Sequence, residues 1–206
     1  MAGQPGAQEG RPAQVLVGLS IALVLVDAGA YLLIARSQSG GPHETTTLTV
    51  PFVATYMAVM ALLLGLSLLD RPALVALRPA MRGAAAAGLL LLGFFALFSI
   101  GLPIFVAGVL ASVVAIRSLA GPNQRQRVLT GIAAAVVAVI VLVAGSVVTQ
   151  RMIQCPPTGT VKGGSSGFLT GPYHYECVDG TLTMYSGECG AMQFDANGNP
   201  TPASGC

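Results

Sequence analysis

Long apolar blocks separated by short polar segments fill the first three-quarters of the chain, and the last quarter is polar. The first block runs from Val15 to Ala35, is interrupted once by Asp27 and closes at Arg36. Pro51 opens a second, Phe52 to Leu69, that ends at Asp70-Arg71-Pro72. Gly83 to Ile116 carries no charged side chain at all, and Val128 to Thr149 forms the last block. A membrane-spanning helix needs about 20 apolar residues and seldom exceeds about 25. The stretch after Gly83 is therefore too long for one crossing. Near its middle stand Gly101 and Pro103. Glycine weakens a helix there, and proline withholds an amide donor and clashes with the carbonyl four residues earlier, so this pair predicts a break between two half-length helices. The pattern predicts a mostly α membrane fold, a five-helix transmembrane bundle with a tight helical hairpin in its middle. The spans fall at about 14–35, 52–69, 84–100, 102–117 and 128–149.

Charge then orients the bundle. Arg71, Arg78 and Arg82 make the second connection basic, and basic short loops stay cytoplasmic. With five crossings, Arg11, Arg71, Arg78, Arg82, Arg117, Arg125 and Arg127 lie inside, and Arg36, Arg151 and Lys162 outside. A single kinked helix in place of the hairpin would export Arg117, Arg125 and Arg127. It would also leave every cysteine in a reducing cytosol. Residues 1–13, rich in Gly, Pro, Gln and Ala, read as a disordered cytoplasmic tail. A cleaved signal peptide ending near Ala28 and Ala30 is the competing reading of the first block. Apolar sequence continuing through Tyr31 to Ala35, and an acid just before the cut, argue against it. The chain is expected in the plasma membrane, multi-pass, with the N-terminus cytoplasmic and the C-terminus extracytoplasmic.

Residues 151–206 hold all four cysteines, Cys155, Cys177, Cys189 and Cys206. An even number confined to one polar segment points to disulfides in an oxidising compartment, and four cysteines allow three pairings. With so few aliphatic residues, a segment this small needs such staples. Asp179-Gly180 between the alternating runs Tyr173–Val178 and Thr181–Tyr185 predicts a two-residue hairpin. In that register Tyr175 faces Met184 and Cys177 faces Leu182. Tyr173, Tyr175, Cys177, Leu182 and Met184 then share an apolar face, and Cys177 belongs in a buried disulfide. The C-terminal segment is thus expected to be a small disulfide-bonded ectodomain containing a β-hairpin.

Composition agrees with a membrane protein: 53% of residues are hydrophobic and 9% are charged. A net charge of +2, scattered singly between apolar blocks, excludes a nucleic-acid interface. Nine of the ten basic residues are Arg, and Ala, Gly, Val and Leu dominate, a bias in keeping with a GC-rich bacterial genome.

Candidate chemistry is sparse. Asp27 is the one acid inside an apolar block, where a charge costs about 2.5 to 3.5 kcal/mol on insertion scales. It is either part of a polar cavity, proton path or interhelical contact, or a tolerated acid of the outer leaflet. Gly163, Ser165 and Gly167 match the Gly-x-Ser-x-Gly pattern of serine hydrolases, but that motif needs a strand, an elbow and a helix, and here it reads as a Gly/Ser linker. His43 and His174 have no ligand spacing with Glu44 or Glu176. Asp195, Asn197 and Asn199 begin like a calcium loop, but Pro200 stands where the turn glycine belongs and no Glu closes it. No cofactor or metal is expected. The pairs Gly18 with Ala22 and Ala84 with Gly88 have the spacing that lets helices approach closely, a pattern that so Ala- and Gly-rich a composition also produces unaided. The expected role is a non-enzymatic anchor and interaction protein of the cell envelope. Its partners are the lipid bilayer and other membrane or envelope proteins, with oligomerisation through the helices. The alternative is a small transporter, channel or transporter subunit using Asp27, assisted by Ser99, Ser112 or Thr149.

Overall fold

In hydrocarbon a backbone must satisfy its own hydrogen bonds, and a run of apolar residues does so as helix. A computed structural model describes residues 11–38, 46–97, 101–119, 123–165, 171–186, 193–194 and 200–201. Its helices are α1 (Arg11–Gln38), α2 (Thr49–Leu66), α3 (Pro72–Val75, one turn), α4 (Arg78–Phe95), α5 (Gly101–Ser118) and α6 (Gln124–Arg151). The strands are β1 (Thr46–Thr47), β2 (Ile153–Gln154), β3 (Thr160–Ser165), β4 (Tyr173–Val178), β5 (Thr181–Ser186), β6 (Gln193–Phe194) and β7 (Pro200–Thr201). Among the described residues four helices, α1, α2, α5 and α6, are long and apolar enough to cross a membrane. The fifth long helix, α4, opens on Arg78 and Arg82 and is not among them. The chain divides into two compact units, one of Met1–Ala35 with Val50–Ser146 and one of Arg36–Thr49 with Val147–Cys206.

Within the helical unit, close approaches at glycine fix the direction of each neighbour. A Cβ on Gly93 would stand 2.5 Å from the Phe105 amide nitrogen, and one on Gly108 would stand 2.7 Å from that of Leu90. Only hydrogen at these positions lets α4 and α5 meet backbone to backbone, and the two contacts make them antiparallel. Tyr56 and Met60 lie over Gly88, and Ser67 meets Arg82, so α2 and α4 are antiparallel too. Phe52 packs on Gly145, and the Tyr56 hydroxyl donates to the Ala138 carbonyl at 3.0 Å, which sets α2 against α6 in the same sense. The end of α2, the start of α4, the end of α5 and the start of α6 therefore share one end of the unit. Arg71, Arg78, Arg82, Arg117, Arg125 and Arg127 all belong to that end. Between the helices lies an apolar core that includes Val17, Met57, Leu64, Leu89, Ile104 and Leu142.

The boundaries depart from the sequence pattern where proline is concerned. Arg11, Pro12 and Ala13 form the first turn of α1 instead of a tail, because proline's missing donor is harmless there. Residues 1–10 lie outside the described residues. The break in the central stretch comes earlier than expected: α4 ends at Phe95, and α5 begins at Gly101 with Pro103 inside its first turn. Gly101 donates its amide to the Ala96 carbonyl at 2.8 Å, and a Cβ on it would collide with Ala96. The hairpin's second helix thus starts at the glycine, and Pro103 fits where its amide is not needed. At the other end α4 starts at Arg78, so Arg78 and Arg82 are helical and not in a loop.

The second unit is built on the disulfide and the Asp-Gly turn. Asp179 and Gly180 both have positive φ, 44° and 81°, as a two-residue hairpin of the I′ kind requires. β4 and β5 pair antiparallel with Tyr175 opposite Met184, Cys177 opposite Leu182 and Val178 opposite Thr181, the register read from the sequence. The Asp179 carboxylate also accepts the Gly159 amide at 2.9 Å, tying the turn to the chain before β3. β3 is an unexpected third strand: Gly163, Gly164 and Ser165 pair with Tyr175, His174 and Tyr173 of β4. The supposed linker pairs because a bare Gly163 leaves room for the Tyr175 ring, which a Cβ would strike. Among the described residues the unit also has a short ladder of β1 with β2 and another of β6 with β7.

Candidate functional site

Among the described residues, four polar side chains are buried: Ser20, Asp27, Ser67 and Arg82. Only Asp27 stands out in the sequence. On α1 it continues a face formed by Val17, Ser20 and Val24, each fully buried. Ser20 donates its hydroxyl to the Ala107 carbonyl of α5 at 2.9 Å, so this face packs inward. Asp27 is 6% exposed, and its Oδ2 has no hydrogen-bond partner among the described residues. The side chains expected to assist it are Ser99, Ser112 and Thr149. Ser112 donates to the Gly108 carbonyl of its own helix, Thr149 belongs to the other unit, and Ser99 lies outside the described residues.

Arg82 is 1% exposed. Its Nε donates to the Ser67 hydroxyl at 3.3 Å and its Nη2 to the Ser67 carbonyl at 3.5 Å, while Ser67 donates onward to Leu64 at 2.7 Å. The last carbonyls of a helix lack intrahelical donors and carry partial negative charge, and a guanidinium at the end of α2 answers both. Sequence gives one weak sign of this: Arg78 and Arg82 share a face at a four-residue spacing, and Arg78 pairs with the exposed Asp70 beside the same helix end.

Two concave surfaces stand out among the described residues. A cavity of about 530 Å³ lies between α2 and α6 with α4 as its floor, walled by Phe52, Tyr56, Leu63, Ala84, Ala134 and Val141. It is a groove in apolar surface. The other, about 390 Å³, lies on the sheet of the second unit beside His174, Glu176, Lys162 and Tyr185. The exposed Lys162 and the half-buried Glu176 form a 3.0 Å ion pair across β3 and β4, near the surface where such pairs carry little energetic weight. No trio of His, Cys, Asp or Glu suited to a metal ion exists among the described residues. Of the hydrolase-like motif, Gly163 to Ser165 lie in β3, with the remainder outside the described residues, as are His43, Glu44, Asp195, Asn197 and Asn199.

Cys155 and Cys177 form a disulfide with Cα atoms 5.5 Å apart and close a loop of sequence separation 22. Cys177 is fully buried. Cys189 and Cys206 lie outside the described residues. The Tyr173 hydroxyl donates to the Gln150 carbonyl at 2.9 Å, fastening β4 to the last turn of α6. Comparison with protein-family models, with curated proteins and with solved structures found no match to this chain.

Proposed function

We propose that the chain is a five-pass integral protein of the plasma membrane. In this reading it holds a disulfide-stapled module outside the cell, where the module engages other envelope components without catalysing a reaction. The observation that carries this reading is the Cys155–Cys177 bridge, placed a few residues after the last apolar helix. Disulfides persist in oxidising compartments, so the bridge favours an extracytoplasmic module. The gathering of six arginines at one end of the helical unit supports the opposite, cytoplasmic side for that end. α4 is the fifth crossing: at 18 residues and 1.5 Å per residue it is about 27 Å long, close to the hydrocarbon depth of about 30 Å, with Arg78 at the cytoplasmic surface. Removing residues 155–206 is expected to abolish the crosslinks the whole protein makes to its neighbours in intact cells. An unchanged set of crosslinked partners overturns the interaction role.

A second reading, a small transporter or channel, draws on Asp27, whose buried and unpartnered oxygen is costly in a purely structural helix. Replacing Asp27→Asn and recording proton or cation flux in liposomes tests it. Wild-type flux that the substitution abolishes supports transport, and no wild-type flux, or flux that survives, removes this reading.

A further inference from the structure

We infer that the groove between α2 and α6 seats one acyl chain of an anionic phospholipid, whose phosphate meets Arg127. The inference rests on reading these helices as membrane-embedded. Along α2 the groove runs from Phe52 to Leu63, eleven residue steps or about 16 Å. That matches the depth of one leaflet, about half of the 30 Å hydrocarbon core. Its lining is apolar, and α6 presents Ala133, Ala134 and Ala138 to it, small side chains that leave the hollow unfilled. On α6 the stripe Ala134, Val137 and Val141 repeats at three- and four-residue steps. Carried backward, the same stripe passes through Thr130 to Arg127, so the groove's line leads to a guanidinium at the arginine-rich end. Arg127 is half-buried and lies two turns before Ala134, level with the end of α2. A lipid that enters there places its chain in the hollow and its phosphate at a positive charge. A zwitterionic headgroup offers the same phosphate together with a cation, which the arginine-rich end opposes.

The test uses the full chain reconstituted in vesicles of equal phosphatidylcholine and phosphatidylglycerol, extracted gently into detergent and weighed by native mass spectrometry. The wild type is expected to retain one phosphatidylglycerol in clear excess over phosphatidylcholine. Ala133→Phe, which fills the groove from an exposed position, removes that adduct. Val113→Phe on the exposed face of α5 keeps it. Arg127→Gln keeps a lipid in the groove but lowers the preference for phosphatidylglycerol about fivefold, the weight of one basic residue near an anionic surface. Equal retention of the two lipids overturns the proposal, as does an adduct that survives Ala133→Phe or is lost equally with Val113→Phe. A dimer that Ala133→Phe dissociates overturns it as well, since another chain then fills the groove. Flotation separates the two levels of failure. A chain that does not float with the vesicles sinks the membrane reading itself, whereas one that floats without selective retention sinks only the lipid site.

Discussion

A guanidinium buried among apolar helices survives only where it replaces something the fold would otherwise leave unsatisfied. Arg82 does so by donating from two nitrogens to Ser67, where α2 runs out of amide donors. Arg82→Met is expected to destabilise the helical unit by about 1 to 3 kcal/mol, the cost of orphaned buried polar groups. Arg82→Lys falls between, because an ammonium does not reproduce a planar fork. Thermal loss of the monodisperse species in detergent gives the order, wild type above Lys above Met; a Met variant as stable as wild type refutes the role. Glycines separate in the same way. Gly108→Leu must push against the backbone of Leu90, whereas Gly18 has nothing within 4 Å of its missing Cβ. The first substitution is expected to separate α4 from α5. Gly18→Ala is neutral or gains up to about 1 kcal/mol from helix propensity.

At the scale of elements, what the sequence revealed depended on how local each cause was. The β4–β5 hairpin was legible because Asp179-Gly180 fixes the turn, and alternation then fixes every pair down to Tyr175 with Met184. β3 was not, since Gly163 and Gly164 resemble a linker until Tyr175 lies across them, a contact made only in the folded sheet. The helical hairpin was legible from the length of a charge-free run. Its hinge was misplaced because Pro103 permits a helix to start as readily as it ends one. The burial of Arg82 depends on α2 and α4 meeting and leaves almost no trace in a single stretch. The disulfide makes the sharpest prediction at this scale. Opening a loop of this length by Cys155→Ser with Cys177→Ser should cost about 2 to 5 kcal/mol, a large part of what so small a unit has. Limited proteolysis should then cut within residues 155–186 while α5 and α6 stay intact; equal resistance with and without the bridge contradicts this.

For the whole molecule, the alternating directions of α2, α4, α5 and α6 turn one question of sidedness into a question about two ends. The end with Arg71, Arg78, Arg117, Arg125 and Arg127 and the segment after α6 must lie on opposite sides if each long helix crosses once. Membrane-impermeant maleimide on intact cells reads this directly. Cys155 and Cys177 should label only after mild reduction, because bridged cysteines have no thiol to react. Ser118→Cys, at the end of α5, should label only after lysis. Should Ser118→Cys label from outside without lysis, α4 and α5 do not form two crossings of the kind proposed. Should Cys155 and Cys177 instead react without reductant, and only in lysed cells, the segment after α6 sits in the cytosol. The disulfide then has no oxidising compartment to sustain it, and the external interaction module is lost as a reading. The two sets of labels thus test independent steps, the hairpin and the final crossing. Both steps hold only if Cys155 and Cys177 label from outside once reduced while the Ser118→Cys thiol stays protected until lysis.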